Sequence, residues 1–334
     1  MFINDLPLCR TAKHKLALAG AFAVFLTACS LPQGVDEIAP VEPPAVVVAT
    51  LNQLYASNDR DCHELRSGKE RGLYYCSGLV IRGGEDGDFL PWTFAPHHIA
   101  QGGVSFSWIR HDVPYIWDFP GAAPFHAAGY IMRNPVYAYR HGLPSLNEGF
   151  ACIFPLDAAT GGNANHRGCG FRQPVEDEFV QPDVGGLNAR HAWGQCEAVG
   201  INSFGQWVGH FESFPIRERQ GKQCSWNVDS WSGWLNAVEA FKRYPLGQDL
   251  IGNYYRHNEL ILAVNDDGRW MKPNLAAFFY SEMPDGQTMG LADAQVFQKK
   301  LYDEGFNVPV VRLFRGIRQQ VFSYHVEDQV VPQP

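Results

Sequence analysis

Three short stretches of the chain carry side chains that together suit one kind of chemistry. Arg82 closes a stretch of alternating apolar residues, Ser105 and Ser107 stand two apart in Ser105-Phe106-Ser107, and Glu148 comes just before the apolar run Phe150-Ala151-Cys152-Ile153-Phe154. A carboxylate stabilises the positive charge that develops on a sugar carbon as a glycosidic bond breaks, and it accepts a hydrogen bond from a sugar hydroxyl. A guanidinium pairs bidentately with phosphate oxygens or frames a pocket through backbone groups. Hydroxyl side chains two apart on a strand share a face and can hold larger groups in register. Glu148 is therefore the candidate for stabilising a sugar cation, Arg82 for clamping an anion, and Ser105 and Ser107 for positioning. Each residue type is commoner in purely structural roles, and it is their order that singles them out.

That order, Arg82, then Gly103-Val104-Ser105-Phe106-Ser107, then Glu148, resembles the Arg, Ser-x-Ser, Glu order of the cholera-toxin-like ADP-ribosyltransferases. The resemblance implies NAD as substrate, with no resident cofactor, and cleavage of the bond between nicotinamide and ribose. Arg82 would meet the NAD phosphates, and aromatic side chains such as Trp92, Phe94, Trp108 and Tyr130 would stack on nicotinamide or adenine. Two departures bear on the acceptor. Phe106 stands where the family has Thr, and Leu146 stands where arginine-modifying members carry Glu or Gln. Water, or an unusual acceptor, then competes with a protein acceptor, whose identity is left open.

A wider resemblance covers most of the chain. Tyr75-Cys76-Ser77-Gly78-Leu79-Val80-Ile81-Arg82, Gly102-Gly103-Val104-Ser105-Phe106-Ser107-Trp108, Cys152-Ile153-Phe154-Pro155-Leu156-Asp157-Ala158 and Gly168-Cys169-Gly170 are similar to segments of the halovibrin family of secreted bacterial proteins. So are Asn258-Glu259-Leu260, Ala276-Ala277-Phe278-Phe279-Tyr280 and Gly290-Leu291-Ala292-Asp293-Ala294. Halovibrins are described as ADP-ribosyltransferases or NAD glycohydrolases acting outside the producing cell. A lipid-attachment signal, described below, departs from that released state.

The elements that must position these residues follow from periodicity. A helix is expected over 45–58, and strands over 73–82, 103–110, 130–133 and 150–154. In the second strand Val104, Phe106 and Trp108 point one way and Ser105, Ser107 and Ile109 the other. Further on, a helix is expected over 231–244, strands over 259–264, 275–280 and 308–314, and a helix over 292–304. The class is α+β: mixed, mostly antiparallel sheets with flanking helices, braced by disulfides. Residues 45–180 form the ADP-ribosyltransferase-like region. Residues 181–334 form a C-terminal α/β region, either a domain of its own or part of one mixed core, with the Pro- and Gly-rich loop over 173–186 as the boundary.

The N-terminus reads as a processing signal. Arg10, Lys13 and Lys15 precede an apolar run over 16–28, too short for a permanent span. Leu26-Thr27-Ala28-Cys29 looks like a bacterial lipobox, which implies a signal peptide over 1–28, diacylation of Cys29 and membrane attachment through that lipid alone. Ser30 favours the outer membrane over other parts of the envelope; the alternative is an ordinary secreted protein. Residues 29–44, rich in Pro, read as a tether. In an oxidising compartment Cys62, Cys76, Cys152, Cys169, Cys196 and Cys224 are expected to pair. The six allow fifteen connectivities, of which sequential loops, Cys62 with Cys76, Cys152 with Cys169 and Cys196 with Cys224, are the simplest.

Across 334 residues, 46% hydrophobic and 19% charged, the composition excludes disorder and a collagen-like repeat. A net charge of -8, with Lys+Arg 27 against Asp+Glu 35, disfavours a nucleic-acid partner. His97-His98, His111, His126 and His141 lack metal-site spacing, so no metal is expected. The acidic turn of Glu85, Asp86 and Asp88 reads as solvated loop. No G-x-S-x-G and no P-loop occur. The competing class is a non-enzymatic surface or periplasmic binding lipoprotein whose aromatics hold a glycan or protein partner.

Overall fold

In a computed structural model the chain divides into two compact units, Met1–Asp36 and Glu37–Pro334. The described residues, all in the second, are 41–58, 77–84, 103–113, 127–133, 150–155, 196–197, 200–215, 223–227, 231–243, 258–263, 272–315 and 320–334.

Four described helices flank the sheet. Helix α1 (Pro44–Ala56) starts with proline in its first turn, where a missing N–H costs nothing, and buries Val47, Leu51 and Tyr55 at helical spacing. Helix α2 (Phe204–Glu212) is capped by Ser203, whose hydroxyl accepts from the Gln206 N–H at 3.3 Å. It buries Trp207 and Phe211, one turn apart and stacked at 4.6 Å. Helix α3 (Trp231–Arg243) buries Trp234, Val238 and Phe241. Helix α4 (Leu291–Asp303) buries Ala294, Phe297, Gln298 and Leu301.

The strands are β1 (Leu79–Gly84), β2 (Gly103–Ile109), β3 (Ala128–Met132), β4 (Phe150–Phe154), β5 (Trp226–Asn227), β6 (Glu259–Ala263), β7 (Leu275–Glu282), β8 (Thr288–Met289), β9 (Val310–Arg315) and β10 (Gln320–Ser323). Among the described residues they form one sheet in the order β10-β9-β7-β3-β1-β2-β6-β4-β5, with β8 paired to β7. Every pairing is antiparallel except β7 with β9, which α4 connects. The mixed, mostly antiparallel sheet with its helices is an α+β fold. Strands from before and after residue 180 alternate within it: β6 lies against β2, and β7 against β3.

β7 is buried on both faces, as its unbroken run Leu275-Ala276-Ala277-Phe278-Phe279-Tyr280 requires. β9 starts at Val310, two residues later than the periodicity suggests. Pro309 has no N–H for a ladder, and its carbonyl instead accepts from the Phe278 N–H at 2.9 Å.

The sheet centre is tied to its surroundings by side chains that imitate backbone. The Asn258 amide accepts from the Trp108 N–H at 2.7 Å and donates to the Trp108 carbonyl at 2.8 Å. Asn52 on α1 does the same for Phe322 on β10, with both bonds at 2.9 Å. Gly78, at φ 70°, lets the chain pass under Trp108: a Cβ there would lie 2.5 Å from the indole. Cys196 and Cys224 form a disulfide. Cys62, Cys76 and Cys169, the side chain of Cys152 and the lipidation residue Cys29 lie outside the described residues.

Candidate functional site

Arg82 lies near the C-terminal end of β1, directly across from Tyr130 on β3. The next ladder pair is Gly83 with Gly129. A Cβ on Gly129 would sit 2.0 Å from the Arg82 carbonyl oxygen, so two facing glycines let the strands close tightly beside the arginine. The half-buried guanidinium reaches over the Phe106 ring, 6.0 Å from its centroid. Phe106 meets Tyr130 edge-to-face at 5.9 Å and 85°. Arg82, Phe106 and Tyr130 thus share one sheet face. Burial pushes the Tyr130 phenol well above its usual range, with the charge of Arg82 pulling the other way. The group is therefore a neutral hydroxyl at physiological pH.

The serines stand differently. Ser107 is opposite Ile81 and is 7% exposed. Because neighbouring positions on a strand point to opposite faces, Ser107 lies on the face away from Arg82. Ser105 takes the ladder position opposite Ile261. Trp108 returns to the face of Arg82 but is wholly buried. Its indole N–H donates to the Ser77 carbonyl at 2.9 Å, and its ring meets Trp234 at 5.2 Å, Phe241 at 5.6 Å and the Arg110 guanidinium at 4.9 Å. These contacts make it a core residue of the described structure. Glu148, Trp92, Phe94, the paired histidines and the acidic turn lie outside the described residues.

Strand directions fix where the ends of these elements fall. β2 is antiparallel to β1, β6 to β2 and β4 to β6, so β4 runs opposite to β1. β4 therefore begins, at Phe150, at the sheet end where β1 finishes with Gly83-Gly84. Three strand spacings separate β1 from β4, about 14 Å at the usual inter-strand distance. In sequence Glu148 comes two positions before Phe150.

A polar cluster around the end of β2 holds a buried charge with no clear signal in the sequence. Arg110 is fully buried, donates to both Asp112 oxygens at 2.7 and 2.9 Å, and donates to Ser77 Oγ at 3.1 Å. Burial raises the Asp112 carboxyl, but the hydrogen bonds and charge of Arg110, helped by Lys242 and His111, hold it below the usual carboxylate value. The signal in sequence, Arg-x-Asp after a strand, is too common to be read as a buried pair.

Across the sheet a second row runs Tyr280 on β7, Arg312 on β9 and Ser323 on β10, each directly opposite the next. Arg312 donates to the Tyr280 hydroxyl oxygen and lies 3.3 Å from Glu282 and 3.5 Å from Asp328, while Tyr280 donates to Asp328. Among the described residues no three His, Cys, Asp or Glu converge as a metal site, and no helix is long and apolar enough to cross a membrane. No protein-family model matches the chain, and no curated protein matches it.

Proposed function

We propose that the protein cleaves NAD at the nicotinamide–ribose bond, as a halovibrin-like ADP-ribosyltransferase or NAD glycohydrolase. The bond from ribose C1′ to the nicotinamide nitrogen breaks, nicotinamide leaves with the electron pair, and a nucleophile adds to C1′ and gives up its proton. With water as nucleophile the outcome is hydrolysis; with an acceptor side chain it is ADP-ribosyl transfer. Glu148 is the carboxylate that stabilises the sugar cation, and Arg82 is the guanidinium for the phosphates.

The observation that carries this reading is the grouping of Arg82 with Phe106 and Tyr130 where β1 ends. Phe106 and Tyr130 are buried in the core and back the cation rather than meet a ligand, while the half-buried Arg82 suits the anionic phosphates of a dinucleotide. β4 starts at that same sheet end, and Glu148 precedes it in sequence. In this reading the dinucleotide spans the lateral gap between β1 and β4. Ser107, on the other face, supports the sheet in this scheme, so Arg82 and Glu148 carry the chemistry. The mature chain is an envelope lipoprotein, attached through Cys29 and braced by further disulfides among Cys62, Cys76, Cys152 and Cys169.

Incubating the oxidised protein with NAD and following nicotinamide release tests the reading. Glu148→Gln is expected to lower kcat by roughly 10²- to 10³-fold, the usual loss for one transition-state contact. Arg82→Lys is expected to raise KM more than it lowers kcat. Full activity in Glu148→Gln moves the chemistry to another residue. No nicotinamide release from folded wild type refutes the proposal in favour of a non-enzymatic binding lipoprotein.

A further inference from the structure

We propose that Ser323 is a nucleophile for acyl transfer from small uncharged esters, with His325 as its general base and Glu327 orienting the imidazole. Ser323 Oγ lies 3.1 Å from His325 Nε2, and the opposite ring nitrogen, Nδ1, lies 3.5 Å from Glu327 Oε1. A neutral imidazole has one donor and one acceptor nitrogen. A carboxylate beside Nδ1 favours the tautomer protonated there and leaves the Nε2 lone pair facing the serine hydroxyl. Hydroxyl, imidazole and carboxylate in this order define a relay by geometry, whatever the fold or spacing that supplies it.

Five consecutive residues achieve this because the backbone changes course between them. β10 ends at Ser323, and His325 is still extended, at φ -131° and ψ 124°, so the two side chains share a side. A single 3-10 turn over Val326–Asp328 then brings Glu327 back to the ring. The frame is held from three directions. Asn52 ties Phe322 on one edge, the Gln329 amide donates to the His325 carbonyl at 3.0 Å, and Asp328 is bound to Tyr280 and Arg312. Nucleophile and base are therefore fixed by groups outside the relay.

The charges define the substrate. Arg312 stands directly across from Ser323 but is engaged with Tyr280, Glu282 and Asp328, so with Glu327 three carboxylates surround one guanidinium. That excess repels acyl anions and leaves neutral esters as the class admitted. The His325 side chain is 32% exposed and that of Glu327 67%, so an ester reaches the hydroxyl from solvent. Glu327 is held below the usual carboxylate value by its own backbone N–H, against slight burial and with help from His325 and Arg312, and it is ionised at neutral pH.

In the reaction Ser323 Oγ bonds to the ester carbonyl carbon while His325 Nε2 takes the hydroxyl proton. The ester C–O bond then breaks, and the leaving alcohol takes that proton from Nε2. Water attacks the acyl-serine with its proton passing to Nε2, and Ser323 leaves with the proton returned. One ester and one water give one acid and one alcohol.

The test labels native full-length protein with an uncharged alkyl fluorophosphonate, maps the adduct by peptide mass, and follows p-nitrophenyl acetate hydrolysis. Expected is an adduct on Ser323 that forms much faster than in the urea-unfolded chain, a comparison that needs no variant. Ser323→Ala removes the adduct and leaves nicotinamide release from NAD untouched, which separates this site from the NAD reading. His325→Gln slows labelling by at least about 10²-fold, the lower range for a general base. Glu327→Gln, acting through the ring, lowers the rate constant of labelling at saturating reagent while leaving the reagent concentration for half-saturation unchanged, a split that a merely structural role would not give. Labelling of Ser323 no faster in the native than in the unfolded chain overturns the proposal, as does a His325→Gln variant that labels at the wild-type rate.

Discussion

Asp112→Ala isolates the Arg110 guanidinium, which is fully buried while its countercharge reaches water. Arg110 has a side chain 1% exposed, and its strongest partners are the two Asp112 oxygens at 2.7 and 2.9 Å. Removing one member of a buried pair typically costs about 3–5 kcal/mol, since the remaining charge has lost its compensation. The Asp112 side chain is 29% exposed, so water can partly replace it and the lower bound applies, about 3 kcal/mol. With a urea m-value of roughly 3 kcal/mol per M for a domain of this size, the midpoint falls by about 1 M. The double variant Arg110→Met, Asp112→Ala removes both charges and is expected within about 1 kcal/mol of wild type. Acid supplies an independent check. Asp112 is lowered from 3.8 in the folded state, so its contribution is fully present above that value and is lost as pH falls through the folded pKa. The stability gap between wild type and Asp112→Asn therefore closes in acid. A single variant within about 0.5 kcal/mol of wild type, the range of ordinary surface changes, refutes the buried-charge account. So does a gap that persists unchanged to pH 2.

Two further changes follow from close approach and chain closure. Gly129→Val drives a Cβ to within 2.0 Å of the Arg82 carbonyl, so β1 and β3 separate; soluble yield and melting temperature both drop, and NAD cleavage falls with them. The Cys196–Cys224 disulfide closes a separation of 28 residues, which corresponds to about 3.6 kcal/mol at 25 °C by loop-closure entropy. Replacing both cysteines by Ala should lower the urea midpoint accordingly, and an unchanged midpoint would mean that the loop is already held by contacts such as Trp207 with Phe211.

Elements whose signals are local were legible in the sequence. Phe150–Phe154 is an uninterrupted apolar run and forms a strand with those bounds; Trp234, Val238 and Phe241 recur at helical spacing and lie on the buried face of α3. Helix α2 carries Gly205 and Gly209, which weaken its helical signal, and a serine cap and two stacked aromatics hold it. β10 has four residues and β5 and β8 two each, below the length at which alternation is a signal. The neighbours of each strand depend on contacts far apart in sequence, and so does register. A shift of one residue between β1 and β2 would have set Arg82 against a serine instead of Phe106, and no local pattern distinguishes the two. The Ser323, His325, Glu327 relay was equally hidden, since it exists only because the chain turns after His325.

The bond pair between Asn52 and Phe322 joins the first described helix to the last strand across 270 positions. In sequence β1, β2 and β3 precede β6 and β7, which flank them in the sheet, so the described sheet closes only when segments far apart along the chain meet. Until those segments meet, strand edges stay unpaired and open to association between copies. The same junction seats the first described helix against the last strand of the sheet, so loss of either segment leaves the other without its paired backbone groups.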